Sequence, residues 1–189
     1  SEKIFVVEVS DINEAPSFTM PDGAGGPGGF HWSVLENSVL GTPVGGPVTG
    51  TDPDASTTLT HYVASVGHSE HFSILATSGQ LSTNSIDLDH ENVPLRWVSV
   101  RLDDGAGLHV DTNVTIAIID VNEPPVFNVG AEGLGGVHSI NLSDQTEEGQ
   151  NVGAPLSVSD PDHNDRSTFV MESTSSCFDV GRVTGKISF

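Results

Sequence analysis

The sequence predicts an all-β chain of tandem β-sandwich domains, and three observations carry that prediction. An acidic octapeptide, Asp11-Ile12-Asn13-Glu14-Ala15-Pro16-Ser17-Phe18, returns as Asp120-Val121-Asn122-Glu123-Pro124-Pro125-Val126-Phe127. Apolar residues alternate with a period of two ahead of each copy, as half-buried strands require. No window sustains a helical period, and Gly, Pro, Ser and Thr turns interrupt the chain at short intervals.

The recurrence extends beyond the octapeptide and keeps its order. Glu36 matches Glu148, Asp52-Pro53-Asp54 matches Asp160-Pro161-Asp162, Phe72-Ser73-Ile74 matches Phe178-Asp179-Val180, and Gly79-Gln80-Leu81-Ser82 matches Gly185-Lys186-Ile187-Ser188. The copies lie about 105 to 112 residues apart, the length of a sandwich domain rather than of a short solenoid turn. Three segments follow. Residues 1–17 are read as the last strand and linker of an upstream repeat, 18–127 as a complete repeat with its linker, and 128–189 as the first part of a second, truncated one. The complete repeat is long enough to bury its own core, the partial one is expected to be less ordered alone, and a longer parent polypeptide is expected.

The strands read in order. Phe5, Val7 and Val9 share one face of a strand that enters the first junction, as Val114, Ile116 and Ile118 do before the second. Phe72 to Leu75 and Leu81 to Ser82 are short strands between turns. Val98, Val100 and Leu102 form an inner face, which turns Trp97 outward and makes it a candidate for partner contact. Trp32 is assigned to packing, and Cys177 beside Phe178 to a buried small apolar position.

Composition narrows the function. With 26 Asp and Glu against 6 Lys and Arg, the formal charge is -20, which disfavours nucleic acid and anionic membranes and favours cations. The carboxylates gather at the junctions and in short loops at two-residue spacing. Mutual repulsion there calls for a positive partner, and hard oxygen donors without a Cys or His cluster point to calcium. The single cysteine rules out an internal disulfide framework.

At these residues the chain resembles the cadherin repeat family, whose junction signature has a variant reading Asp-x-Asn-Glu-x-Pro-x-Phe. Glu36-Asn37 is similar to the family's early Glu, Asp52-Pro53-Asp54 to its Asp-x-Asp motif, Leu88-Asp89-His90-Glu91 to its Leu-Asp-Arg-Glu motif, and Asp104 to its late Asp. The resemblance implies tandem immunoglobulin-like, Greek-key sandwiches with calcium ions held between consecutive repeats. Carried over by motif, the lower junction would use Glu36, Asp89, Glu91, Asp120, Asn122, Glu123, Asp160 and Asp162. The upper would use Asp11, Asn13, Glu14, Asp52, Asp54 and Asp104, and Glu148, or Glu147 after a one-residue shift of register, stands where Glu36 does. Each junction carries Glu where Asp is commonest and is one residue shorter than the long form, which leaves the number of ions open. Glycine-rich insertions at 23–29 and 130–136 lengthen nearby loops. The resemblance further implies calcium-dependent adhesion at the cell surface through another array of the same or a related protein, anchored in the membrane outside this chain. The alternative is a calcium-stiffened spacer in a matrix or on a microbial surface.

Competing motifs fail on their own chemistry. Asp160-Pro161-Asp162-His163-Asn164 opens like a helical calcium loop, but Asp165 replaces the required Gly and Met171 the closing Glu. Gly23, Gly25 and Gly28 match a dinucleotide fingerprint by letter, with Pro27 inside it and no helix after. His68 and His71 are assigned to a polar surface hairpin. No nucleophile elbow or other activation signature is present, so no enzymatic activity is expected. Asn113-Val114-Thr115 and Asn141-Leu142-Ser143 are N-glycosylation sequons.

Overall fold

The alternation at Val114, Ile116 and Ile118 becomes the longest strand among the described residues and runs through the middle of the largest sheet. The computed structural model describes residues 3–19, 25–26, 29–54, 57–128, 143, 146–162, 165–172 and 177–189. They fall into two units, Ser1–Val121 and Asn122–Phe189.

The first unit runs β1 (Ser17–Thr19), β2 (Gly25–Gly26), β3 (Gly29–Leu35), β4 (Pro43–Val44), β5 (Thr49–Thr51), β6 (Thr60–Gly67), β7 (Phe72–Ile74), β8 (Leu81–Thr83), β9 (Leu95–Asp103) and β10 (His109–Ile119). One sheet is ordered β2-β3-β10-β9-β6. Its β3–β10 pair is parallel and its other pairs are antiparallel. The opposing layer comprises β4-β8-β7 and the β1–β5 pair. Between β6 and β9, neighbours in one sheet, the chain crosses to the other layer to form β7 and β8. This is the Greek-key crossing that the family resemblance implies.

Parity fills the space between the layers. Val98 and Val100 on β9 and Val114, Ile116 and Ile118 on β10 form one buried cluster with Phe30, Val34, Val44, Val48, Phe72, Leu81 and Leu88. Each contributes by removing apolar surface from water, at about 25 cal/mol per Å². Trp32 packs on Phe30 at a ring separation of 5.4 Å, as expected. Trp97, of opposite parity on β9, is 40% exposed.

The second unit repeats the first locally. Its strands are β11 (Val126–Phe127), β12 (Val158–Ser159), β13 (Asp179–Val180) and β14 (Ile187–Ser188). The β11–β12 pair matches β1–β5, and β13–β14 matches β7–β8. The turn glycines correspond as well: the Val48 amide donates to the Gly79 carbonyl and the Leu156 amide to the Gly185 carbonyl, each at 2.9 Å. Both glycines have positive φ, 72° and 59°, and a Cβ on either would run into the carbonyl oxygen of Val48 or Leu156. Gly79→Ala is therefore expected to destabilise the first unit by about 2 kcal/mol. The check is the denaturant midpoint at unchanged slope; a loss below about 0.5 kcal/mol would contradict the assignment.

Three expectations are corrected. No strand forms over 3–10, where Phe5, Val7 and Val9 are 85%, 83% and 92% exposed. A strand needs a neighbour for its backbone groups, and no described segment pairs with this one. Cys177 is exposed rather than buried; it is the adjacent Phe178 that turns inward, packing on Phe189 at 5.5 Å. His68 precedes and His71 closes a 3-10 turn, Ser69–His71, rather than a hairpin. The insertion 130–136 and the sequon at Asn141 lie outside the described residues.

Candidate metal centre

The β9–β10 hairpin builds the first anchor. Asp104 opens its turn, and one carboxylate oxygen, Oδ1, accepts the backbone N–H groups of Ala106, Gly107 and Leu108 at 2.7, 2.9 and 3.0 Å. The other, Oδ2, accepts the Asn13 side-chain amide at 2.7 Å. Four donors on one carboxylate favour its ionised form, so its pKa lies below the ordinary value, the Asn13 amide being the largest cause.

Asp52-Pro53-Asp54 follows β5 as a turn in which the Asp54 amide donates to Asp52 Oδ1 at 2.8 Å. Asp54 Oδ2 then accepts the Glu14 amide at 2.8 Å. The linker is thus held by backbone and amide donors, and its carboxylates are left close together. Asp11, Glu14 and Asp54 each place one oxygen within 4.8 Å of the others. The Asp54 charge, followed by burial and the Asp11 charge, raises the Glu14 pKa. Asp52 Oδ2 is buried with no hydrogen-bond partner.

These opposed shifts predict a pH profile in chelator. Glu14 binds its proton more tightly when folded, so stability rises as pH falls from neutrality through its raised value. Asp104 binds its proton less tightly when folded, so its contribution is complete above its ordinary value of 3.8 and is lost as pH falls through the depressed one. The melting temperature is expected to pass through a maximum on the acid side of neutrality, and Glu14→Gln should flatten the rise without moving the acid limb. A monotonic fall from pH 7 would contradict it.

At the opposite end of the first unit, Asn37 bends the chain after β3 with φ 54°. Glu36 is thereby turned inward to 3% exposure. Its two oxygens accept the Val121 amide at 2.7 Å and the His90 amide at 2.8 Å. Glu36, Asp89 and Glu91 bring one oxygen each within 4.8 Å, and His90, Glu91 and Asp120 form a second such group. His90 Nδ1 meets the Ile118 carbonyl at 2.7 Å. That carbonyl, with the charges of Asp120, Glu91 and Glu36, raises the His90 pKa against the opposing effect of burial.

The second unit repeats the first junction's bonding. The Glu123 amide donates to Asp162 Oδ2 at 2.7 Å and the Asp162 amide to Asp160 Oδ1 at 3.2 Å. Asp160, Asp162 and Asp165 bring one oxygen each within 4.8 Å. Asp162 is 7% exposed, and its Oδ1 is buried with no hydrogen-bond partner. The Asn122 amide is engaged locally, by the Glu123 carbonyl at 3.1 Å.

Most of the residues singled out in the sequence therefore sit in one of these acidic groups or bond to a member of one. Glu148 is exposed and belongs to no such group among the described residues. Sequence reasoning missed His90 and Asp165. The first stands inside the Leu88 to Glu91 motif and the second lies three residues after Asp162, and both signals were visible. All donors but His90 are hard oxygens. Two of them, Asp52 Oδ2 and Asp162 Oδ1, are buried acceptors without a donor, an arrangement costly by itself and matched to a hard cation.

No protein-family model matches the chain. It is similar to Protocadherin Fat 2 of Rattus norvegicus, at 32% identity over 96% of the chain and 4% of the relative. Cadherin-5 of Sus scrofa matches at 34% identity over 86% of the chain and 20% of the relative. Protocadherin gamma-A2 of Homo sapiens matches at 32% identity over 62% of the chain and 12% of the relative. The chain thus spans a fifth or less of the length of each. Among solved structures, mouse cadherin-23 EC22-24 superposes with a TM-score of 0.66 at 20% identity, covering 94% of the chain and 54% of the structure. Protocadherin gamma B2 extracellular cadherin domains 3-6 superpose at 0.56 and 21% identity, over 95% and 44%.

Proposed function

The chain belongs to the cadherin repeat family, and on that footing we propose that it binds calcium through its junction carboxylates as part of an extracellular adhesive array. Repeat boundaries are proposed at 17/18 and 127/128. At the start of the complete repeat, Asn13 and Glu14 of the preceding linker with Asp52, Asp54 and Asp104 would hold metal, with Asp11 beside them. Glu36, Asp89, Glu91 and Asp120 would do so at the other end. In the second unit the donors would be Asn122 and Glu123 of the linker with Asp160 and Asp162. Glu148 would serve a further junction.

The observation that carries the reading is the pair of buried carboxylate oxygens, Asp52 Oδ2 and Asp162 Oδ1, that have no hydrogen-bond donor. They stand at the first position of the Asp-Pro-Asp turn in one repeat and at the third in the other, and the sister oxygen of each accepts a backbone amide, from Asp54 at Asp52 Oδ1 and from Glu123 at Asp162 Oδ2. Calcium, when bound, supplies positive charge and accepts six to eight oxygens in flexible geometry. The protein's own part is to hold those oxygens ionised and close. Backbone donors do this at Asp54, Asp104 and Asp162, and Glu36 ties the turn at His90 to the end of β10. With charge neutralised the linkers would stiffen, and the array would present its repeats to another array of the same or a related protein at the plasma membrane.

Calorimetric titration of the chain tests the reading. Saturable calcium binding is expected, with magnesium much weaker because it demands near-ideal octahedral order. Asp54→Asn and Asp162→Asn should each remove part of the binding heat. Absence of binding heat would overturn the proposal.

A further inference from the structure

Asn113 stands on the outer face of the five-stranded sheet, and the chemistry around it fits an acceptor of oligosaccharide. It lies in β10 opposite Ser99 of β9, one residue before the parallel register with β3 begins at Val114. Its neighbour Val114 is fully buried in the core. Alternation therefore turns Asn113 and Thr115 outward together, and Asn113 is exposed. Across the strand pair Asn113 faces Ser99 and Thr115 faces Trp97. Ser99 offers only a hydroxymethyl group, and Trp97 is the diagonal neighbour, at about 7 Å by the usual spacing of sheet residues. Among the described residues no hydrogen bond occupies the Asn113 amide. The same face exposes Leu95, Trp97 and Tyr62 at 58%, 40% and 49%, apolar surface on a chain of net charge -20.

We propose that Asn113 carries an N-linked glycan that covers this face. The inference rests on the extracellular reading above, because the transfer takes place in the secretory pathway. In the step, Asn113 Nδ2 forms a bond to C1 of the first sugar of a polyprenyl-diphosphate oligosaccharide. The C1–O bond to phosphate breaks, the polyprenyl diphosphate leaves, and one amide proton passes to a base of the transferase. Thr115, two residues on, supplies the hydroxyl that the sequon requires. A glycan rooted beside Trp97 on this face excludes a protein partner from it, so adhesive contact is directed to other surfaces.

The test is expression of the full chain behind a signal peptide in a glycosylating eukaryotic host, in an Asn141→Gln background that removes the other sequon. The secreted chain is expected to carry the added mass of an N-glycan. Amidase treatment should remove it and leave Asp at 113, located by peptide mass spectrometry. Thr115→Ser should retain the modification, whereas Thr115→Ala and Asn113→Gln should lose it. Acrylamide quenching of tryptophan emission should be weaker with the glycan than after its removal. An unmodified Asn113 in secreted chain, or modification that survives Thr115→Ala, overturns the proposal. Calcium titration of the same sample reports the junction reading separately, so either can fail alone.

Discussion

Glu36→Ala is expected to destabilise the first unit by about 3 to 5 kcal/mol in chelator, where no metal contributes. The carboxylate is 3% exposed and accepts two backbone amides, from His90 and from Val121, 54 and 85 residues away in sequence. Removing it leaves both part-buried N–H groups without their acceptor, and a hydrogen bond to a charged group is worth about 1.5 to 3 kcal/mol. The backbone bond from the residue 36 amide to the Ile119 carbonyl survives the substitution, so the loss is that of the two carboxylate bonds. Glu36→Gln keeps the shape and one acceptor oxygen and should lose roughly half as much. Chemical denaturation of the three proteins checks this. A loss within about 1 kcal/mol for Glu36→Ala would mean that water replaces the carboxylate at no cost.

Calcium is expected to raise the melting temperature by roughly 10 °C or more relative to chelator. A ligand that binds only the folded state stabilises it by about 2.7 kcal/mol at a hundredfold excess over its dissociation constant. For a domain of this size each kcal/mol moves the melting temperature by roughly 4 to 8 °C. The effect has two parts here. Coordination adds binding energy, and neutralisation removes the repulsion that lifts the Glu14 pKa beside Asp54 and Asp11. The pH profile should change with it: the acid-side rise seen in chelator should vanish in calcium, because the ion holds Glu14 ionised. Scanning calorimetry at several pH values, with magnesium as the control cation, measures both parts together.

The sandwich was legible where a single strand carries its own periodicity. Val98 and Val100 on β9 and Val114, Ile116 and Ile118 on β10 declared the core face directly, and the outward side of Trp97 followed from parity. The junctions were legible through recurrence, because Asp-Pro-Asp and Asn-Glu appear twice in the same order. The bonding that recurrence implied also appears twice, as the Glu14 to Asp54 and Glu123 to Asp162 bonds. What sequence could not give depended on closure over long distances. Glu36 reads as a ligand in sequence, but its two backbone partners are brought to it only when β3 lies beside β10. Cys177 was misplaced because a residue next to an inward aromatic has no fixed side of its own in a strand of two residues, Asp179–Val180, that begins only after it. Phe5, Val7 and Val9 show the limit of alternation: it marks the face a strand would bury and is silent on whether a neighbour is present to pair with.

The most direct test of the metal reading is to melt wild type and Asp52→Asn in chelator and in calcium. Asp52 Oδ1 receives the Asp54 amide, a bond that Asn preserves, while Oδ2 is buried without a donor beside other carboxylates. If Oδ2 is a calcium ligand, Asp52→Asn should leave the melting temperature unchanged or higher in chelator, where it removes a repelled charge, and lower it by several degrees in calcium. An equal decrease in both conditions would make Asp52 a turn residue alone and would contradict the account.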